Sequence, residues 1–177
     1  ADVMKSFSEK AFSKPLSKIT AKDYASLQYL AIRKKKDPSD GVDKWFFSYS
    51  TSVDDSGKPV EEHTAYLPGA DYLDEEDLQP FTGLVSLSIG SGFRYSYDDD
   101  NANDLRCLSN LQFFSTEYAT FSEMERTLLY PEKILGLSGV SFCNESVYSY
   151  DDSKAKDITD IYKSFSSLQE LSVSVDS

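Results

Sequence analysis

The chain has 177 residues, of which 40% are hydrophobic and 27% are charged, so it is long enough for one globular domain with a real core. Its formal net charge of −12 disfavours binding to nucleic acid or to anionic membranes, because both partners require a basic surface. No window approaches the ~18 consecutive apolar residues that a membrane span requires, so we expect no membrane insertion.

The first 18 residues are predicted to form a separate helical segment. Val3, Met4, Phe7 and Phe12 could supply the apolar side of its helix. We expect the helix to end at Pro15, because proline cannot continue a helix. Residues 19–177 are predicted to form the second and larger domain.

A run of residues within 33–76 is predicted to be an insertion in that domain. "RKKKDPSDG", which begins at Arg33, is interpreted as a solvated loop with a basic rim at 33–36, and the alternative interpretation of this basic run is an anion site. The segment 45–53 alternates like a strand, 54–59 is a turn signal, and 60–67 could be the returning strand of a hairpin. Phe46, Tyr49 and Thr51 also allow a second interpretation, in which they are a degenerate copy of the repeat described next.

Five segments share a pattern in which apolar residues are spaced by three and then by two. "DLQPFTGLVSLSI" (77–89) and "DLRCLSNLQFFST" (104–116) match position for position, and weaker copies occupy 20–32, 130–142 and 161–173. Each L-x-x-L-x-(apolar) core is located by its first Leu. These are Leu27, Leu84, Leu111, Leu137 and Leu168, and successive ones are separated by 57, 27, 26 and 31 residues. "YSYDDDNAND" and "YSYDDSKAKD" each begin 11 residues after such a Leu, which supports this alignment.

A spacing of three is typical of a helical or turn segment, and the final alternation is typical of a short strand. One such unit cannot bury its apolar side alone, but stacked units share a core. Over roughly residues 19–175 the chain resembles leucine-rich-repeat proteins of the irregular bacterial, internalin-like, cell-surface type. The resemblance implies an α/β repeat fold: a short solenoid of about five to six repeats with a parallel inner sheet. It also implies that residues 1–18 are the N-terminal helical cap of this solenoid. The usual Asn eight residues after each first Leu is absent, its place being taken by Lys35, Gly92, Ala119, Glu145 and Asp176.

The repeat frame predicts which side chains the inner sheet turns outward. Its central row would be Ala31, Ser88, Ser115, Ser141 and Ser172, and the row before it Tyr29, Ser86, Phe113, Gly139 and Glu170. The serines are interpreted as a solvated surface, and aromatic residues of the loops as the better anchors for a ligand. In the alternative interpretation, one Tyr of each loop pair packs inward. The candidate ligand-binding residues are Tyr29, Tyr95, Tyr97, Phe113, Tyr148, Tyr150 and Glu170.

Neither catalysis nor a metal or other cofactor is expected. His63 is the single histidine, and neither H-E-x-x-H nor G-x-S-x-G occurs. "DDDNAND" (98–104) places acidic and amide side chains at the first three spacings of a calcium loop, but the required Gly and Glu are replaced by Asp104 and Asn110, so we interpret it as a solvated turn. Cys107 and Cys143 are predicted to be thiols that lie at least partly in the interior, although one bridge is possible.

These observations favour a non-catalytic recognition module, and the resemblance implies that it is secreted or displayed on a bacterial surface. It would bind a protein ligand, with a glycan as the less favoured ligand. The chain begins with Ala1, which we interpret as a processed or trimmed start. The end near Ser177 is expected to continue into further repeats or to contact another chain. The alternative is a cytoplasmic acidic binding or immunity protein that masks a basic toxin or other basic partner.

Overall fold

A computed structural model describes residues 2–69, 72–94, 105–119, 124, 127–141 and 163–174. The chain is an α/β fold with few helices among these residues and a mostly parallel seven-stranded sheet, in the order β3-β2-β1-β5-β7-β8-β9. β4 and β6 form a separate two-stranded sheet. The elements are α1 (Asp2–Phe12), α2 (Ala21–Ala25), β1 (Tyr29–Lys36), β2 (Asp43–Ser50), β3 (His63–Leu67), β4 (Leu73–Asp74), β5 (Ser86–Ile89), β6 (Phe93–Arg94), β7 (Phe113–Ala119), β8 (Gly136–Ser141) and β9 (Glu170–Ser174).

No helix within the described ranges has the length and apolar character needed to cross a bilayer.

The apolar residues that are spaced by three before each parallel strand lie in a turn with three residues per turn. The Leu84 N–H donates to the Phe81 carbonyl at 3.2 Å, and the Leu111 N–H donates to the Leu108 carbonyl at the same distance. An N–H that bonds three residues back gives three residues per turn, so every third side chain points to the same side. The predicted helical or turn segment is therefore present, in its tightest form.

Backbone hydrogen bonds join equivalent positions of successive segments. The N–H of Val85 donates to the Gln28 carbonyl at 2.8 Å, and the N–H of Gln112 donates to the Val85 carbonyl at 2.8 Å. Leu135 and Gln169 continue the series, each donating at 2.7 Å. Each segment thereby satisfies backbone groups of the next one at the entrance to its strand.

The core lies between the inner side of the sheet and the turns. Its buried apolar side chains recur along successive strands: β1 gives Leu30 and Ile32, and β5 gives Leu87 and Ile89, all at 2% exposure or less. α1 covers the hairpin side of this core, where the Phe7 ring stacks on Phe47 with centroids 4.3 Å apart. Val3, Met4 and Phe7 are buried and Phe12 is partly buried, which confirms the predicted apolar side of the first helix.

α1 ends three residues before Pro15. Ser13 adopts a left-handed backbone with φ 51°. The Lys14 N–H donates to the Glu9 carbonyl at 3.2 Å and the Ser13 N–H donates to the Lys10 carbonyl at 3.4 Å. These two bonds close the helix as a Schellman motif, so the end is set by Ser13 and not by the proline.

The predicted hairpin is confirmed with different bounds, since β2 covers 43–50 and β3 covers 63–67. Two expectations about this region are wrong. Arg33 to Lys36 do not lie in a loop but form the second half of β1, where Arg33 pairs with Phe46. Phe46 and Tyr49 are not part of a repeat copy, because β2 runs antiparallel to β1.

The alignment of the fourth segment was also wrong, by three residues. Leu137 pairs with Phe114 and Leu171, so it occupies the second core position of its segment and not the first. Ile134 takes the first position: it is 1% exposed, and its N–H donates to the Pro131 carbonyl at 3.1 Å. Counting from Ile134, the last two separations become 23 and 34 residues. Counted from Ile134, the second acidic motif begins 14 residues after the first core position and not 11, so the two motifs no longer support the alignment.

Candidate functional site

The outward side of the sheet carries a groove of about 220 Å³. Three of the seven candidate residues, Tyr29, Phe113 and Glu170, line it. They share one row across the sheet, because Tyr29 and Phe113 each pair with Ser86, and Gly136 pairs with both Phe113 and Glu170. The parallel pairing of β1, β5, β7, β8 and β9 is what brings residues so distant in sequence together.

The groove floor carries the next row of outward side chains. Ser88 pairs with Ser115, which pairs with Ser138. The predicted row had Ser141 in place of Ser138, and this is a consequence of the misaligned fourth segment. Ser141 instead pairs with Ser174, beyond a bulge at Gly139. Gly139 has φ +80° and was itself predicted for the first row, a place that Gly136 takes.

A turn from the hairpin folds over one side of the groove and contributes Ser56 and Lys58. The Asp54 side chain holds this turn, since its Oδ1 accepts the N–H groups of Ser56 and Lys58, both at 2.9 Å. The Lys58 carbonyl in turn accepts the Asp54 N–H at 2.8 Å. The turn thus adds the basic Lys58 to a groove whose lining also includes the acidic Glu170.

Phe113 is held between two glycines. A Cβ added at Gly57, at the tip of the turn, would lie 2.3 Å from the Phe113 Cγ atom. A Cβ added at Gly136, on β8, would lie 2.8 Å from its Cδ1 atom. The ring therefore packs directly on backbone on both sides, which fixes its orientation at the groove without burying it fully.

Tyr29 has a polar network on the same surface. Burial raises the pKa of its hydroxyl above the ordinary value, the hydrogen bond with Ser48 opposes this, and the Glu62 carboxylate adds to the increase in the pKa. The Ser48 hydroxyl also donates to Glu62. Tyr29 consequently stays protonated at neutral pH and can donate or accept a hydrogen bond with a ligand.

The remaining candidates, Tyr95, Tyr97, Tyr148 and Tyr150, lie outside the described residues, as do Cys143 and the "DDDNAND" segment. Cys107 is exposed, so the prediction of an interior thiol is wrong for this residue. His63 is exposed on β3 with its ring 5.5 Å from that of Tyr49. Within the described ranges no three His, Cys, Asp or Glu side chains are grouped to hold a metal ion.

Sequence reasoning missed Ser56, Lys58 and Ser138. The turn at 54–59 was recognised, but nothing in its composition indicates that it folds over the sheet. Ser138 could have been found, because Ile134 and Leu137 are spaced by three, like Leu111 and Phe114. That spacing places the strand start at Gly136.

No protein-family model matches the chain, and searches of curated proteins and of solved structures return no match.

Proposed function

We propose that the protein is a non-catalytic recognition module, secreted or displayed on a bacterial surface, which binds a protein ligand through the groove. Its architecture would be a short leucine-rich-repeat solenoid, capped by α1 and extended by the β2–β3 hairpin. The hydrogen bonds between equivalent residues Gln28, Val85, Gln112, Leu135 and Gln169 support this stacking.

The observation that carries the proposal is the meeting of Tyr29, Phe113 and Glu170 around one cavity. Aromatic residues supply a large contact area at low conformational cost, so they dominate binding hot spots. Small serines between them leave the backbone and the rings accessible. The surface thus combines apolar walls, hydroxyl groups and two opposite charges, from Lys58 and Glu170, in one concave area.

The size of the groove favours a protein ligand. Sites for drug-sized molecules usually enclose about 300–1,000 Å³, and this groove is smaller. A cavity of 220 Å³ instead suits one or two side chains that project from a larger contacting surface. A glycan is less favoured for the same reason, because only one sugar ring would be enclosed.

Selection of peptides from a random displayed library tests the groove. The library is selected on the wild-type protein after depletion on Phe113→Ala, and the affinity of the enriched peptides is measured by calorimetry. We expect a binding loss of at least tenfold for Phe113→Ala and a smaller loss for Glu170→Gln. Leu16→Ala, a change at a 39% exposed residue of the N-terminal region, should bind like the wild type.

Equal binding of the enriched peptides by all variants would contradict the proposal, as would the enrichment of no peptide. Circular dichroism must show that Phe113→Ala is folded. Protease treatment of intact producing cells, followed by mass spectrometry, tests the location. Fragments of this protein released from intact cells would support surface display. Detection of its fragments only in the cytoplasm would favour an acidic intracellular binder.

A further inference from the structure

The outward face of β1, β2 and β3 carries a cluster of side chains that do not line the groove. We call Arg33, Lys35, Phe46 and Tyr66 the basic–aromatic patch. The Arg33 guanidinium lies 5.6 Å from the Phe46 ring centroid and the Lys35 amine lies 5.0 Å from it. The Phe46 and Tyr66 rings are 5.0 Å apart. Arg33, Phe46 and Tyr66 form one row across β1, β2 and β3.

The two cations keep their charge available to a partner. Arg33 and Lys35 are exposed, whereas Phe46 and Tyr66 are partly buried. In the described part of the chain, ion pairs involve other lysines, and Lys44 next to the patch is paired with Asp37 and Asp40. An aromatic ring orients a cation without neutralising it, so both heads remain able to bind an anion.

Glu117 is an acidic group that flanks this row. A Cβ added at Gly90 would contact both the Arg33 Cβ at 2.7 Å and the Glu117 Oε1 at 2.9 Å. The other carboxyl oxygen, Oε2, accepts the Ser91 N–H at 2.9 Å. Glu117 therefore lies beside the stem of Arg33, on the β7 side. On the hairpin side, the Glu62 carboxylate accepts the hydroxyl of Ser48, which lies one row away from Arg33, Phe46 and Tyr66.

We propose that the basic–aromatic patch binds an extended acidic segment of a partner protein, with carboxylates on alternate residues. Arg33 and Lys35 are two residues apart on one face of β1, which is roughly 6.6 Å along the strand. Carboxylates two residues apart on an extended peptide have the same spacing. The Phe46 and Tyr66 rings then offer apolar contact beside the two charge pairs.

The net charge of −12 restricts which anion can bind. Charges on a surface are screened beyond about 8 Å at physiological ionic strength. A short acidic segment can therefore bind the patch with little electrostatic repulsion from acidic groups elsewhere on the protein. A nucleic acid or an anionic membrane would extend past the patch and meet acidic surface, so a short polypeptide segment is favoured.

The test uses fluorescein-labelled peptides of one composition and two sequences, one with Glu at alternate residues and the other with the same Glu residues adjacent. Fluorescence anisotropy at low and physiological salt measures their binding to the full chain. We expect the alternating peptide to bind at least fivefold more tightly than the other, and its binding to weaken as salt rises. Replacement of its Glu by Gln should abolish binding.

Variants locate the site. Arg33→Gln with Lys35→Gln should weaken binding at least tenfold, and Arg33→Lys with Lys35→Arg should retain it. The matched control is Lys10→Gln with Lys18→Gln, which changes the net charge equally at exposed residues of the N-terminal region and should bind like the wild type. Circular dichroism should show that all variants are folded.

Three results would overturn the proposal: no binding by the wild-type chain, equal binding of both peptide sequences, or equal weakening by the control variant. The patch shares no residue with the groove, so the proposal does not rest on the function proposed above. A Phe113→Ala protein should bind the acidic peptide normally whether or not the groove is a binding site.

Discussion

At the scale of single residues, the end of α1 depends on a backbone conformation that favours glycine. Ser13 has φ 51°, and it is the only residue other than glycine with a positive φ among those the structure describes. A side chain in this conformation costs roughly 1 kcal/mol. The hydrogen bonds of the Schellman motif offset that cost.

Ser13→Gly should therefore stabilise the protein, by about 0.5–1 kcal/mol, because glycine adopts this conformation without strain. Denaturation by urea measures the change. The control is Ser6→Gly on the exposed side of α1, where glycine should lower stability by about 0.5 kcal/mol. A loss of stability in both variants would contradict the assignment of Ser13 as the residue that ends the helix.

The β1–β2 connection contains a carboxylate with a strongly lowered pKa. The hydrogen bond from Lys44 lowers the pKa of Asp37 to about 2, and hydrogen bonds from the Ser39 N–H and hydroxyl act in the same direction. The Lys44 amine lies 2.7 Å from Asp37 and 2.6 Å from Asp40. A carboxyl with a lower pKa in the folded state stabilises that state above its unfolded pKa.

We expect this stabilisation to be present above about pH 4 and to be lost as the pH falls towards 2, because protonation of Asp37 then favours the unfolded chain. An NMR titration of the Asp37 carboxyl carbon should have its midpoint near pH 2. In Lys44→Met the midpoint should rise towards 3.8, the ordinary pKa of an aspartate side chain. An unchanged midpoint in Lys44→Met would show that the amine is not the cause.

At the scale of elements, β8 contains a bulge that only glycine can form. Ser138 pairs with Ser172 and Val140 pairs with Val173, so Gly139 is the extra residue. It has φ +80°, and a Cβ at this position would lie 1.4 Å from the Thr116 carbonyl oxygen on β7. The bulge lets β7 and β8 approach closely while the pairing continues beyond it.

Gly139→Ala should be much more destabilising than Gly41→Ala. Gly41 has a similar φ of +73° but no atom within 4 Å of an added Cβ, so it measures the backbone cost alone, about 1 kcal/mol. The clash in β8 should add a further 1–3 kcal/mol, roughly. Thermal and urea denaturation of both variants measure the difference, and equal losses would contradict the close approach to Thr116.

The strands and turns were largely predictable from sequence, and the errors have physical causes. The spacing of three then two located β5 and β7, because these strands bury one side against the turns. The β8 alignment failed because Gly139 adds a residue that no apolar pattern reports. "RKKK" was interpreted as a loop because its charge was taken as a sign of solvent. In the sheet, however, side chains on both faces of β1 lie over aromatic rings of β2, as the Lys34 amine does over the Trp45 ring at 5.3 Å.

At the scale of the whole molecule, burial declines towards β9. Leu87 on β5 and Leu171 on β9 occupy the same position of their strands, one pairing with Phe114 and the other with Leu137. Leu87 is 1% exposed and Leu171 is 37% exposed, since β9 has a neighbouring strand on one side only in the described sheet. The repeat pattern, which places Leu171 at the second core position of the last segment, therefore overstates the burial of this residue.

Leu87→Ala should cost about 2–5 kcal/mol of stability, whereas Leu171→Ala should cost about 1 kcal/mol. Urea denaturation gives both values. Hydrogen exchange should likewise show faster opening of β9 than of β5, because β9 has fewer buried contacts. Equal losses for the two variants would indicate that β9 is covered in solution, as an assembly with another chain would do.

The groove could be predicted only in part for a reason that also lies at this scale. Tyr29, Phe113 and Glu170 follow from the repeat, because residues at one position of successive strands share one row. Ser56 and Lys58 depend on how the hairpin turn folds back over that row. Such a contact between a turn and a distant strand leaves no periodic signal.

The parallel strands of the sheet lie on one side of β1 only, because the strand on its other side is antiparallel. β1 has the antiparallel β2 on one side and the parallel β5 on the other. A segment duplicated in the gene would continue the parallel pairing of β5, β7, β8 and β9, whereas the antiparallel β2 interrupts that pairing beyond β1. Homologues of different length should consequently share the α1 and hairpin end and differ in the number of strands between β5 and the far edge.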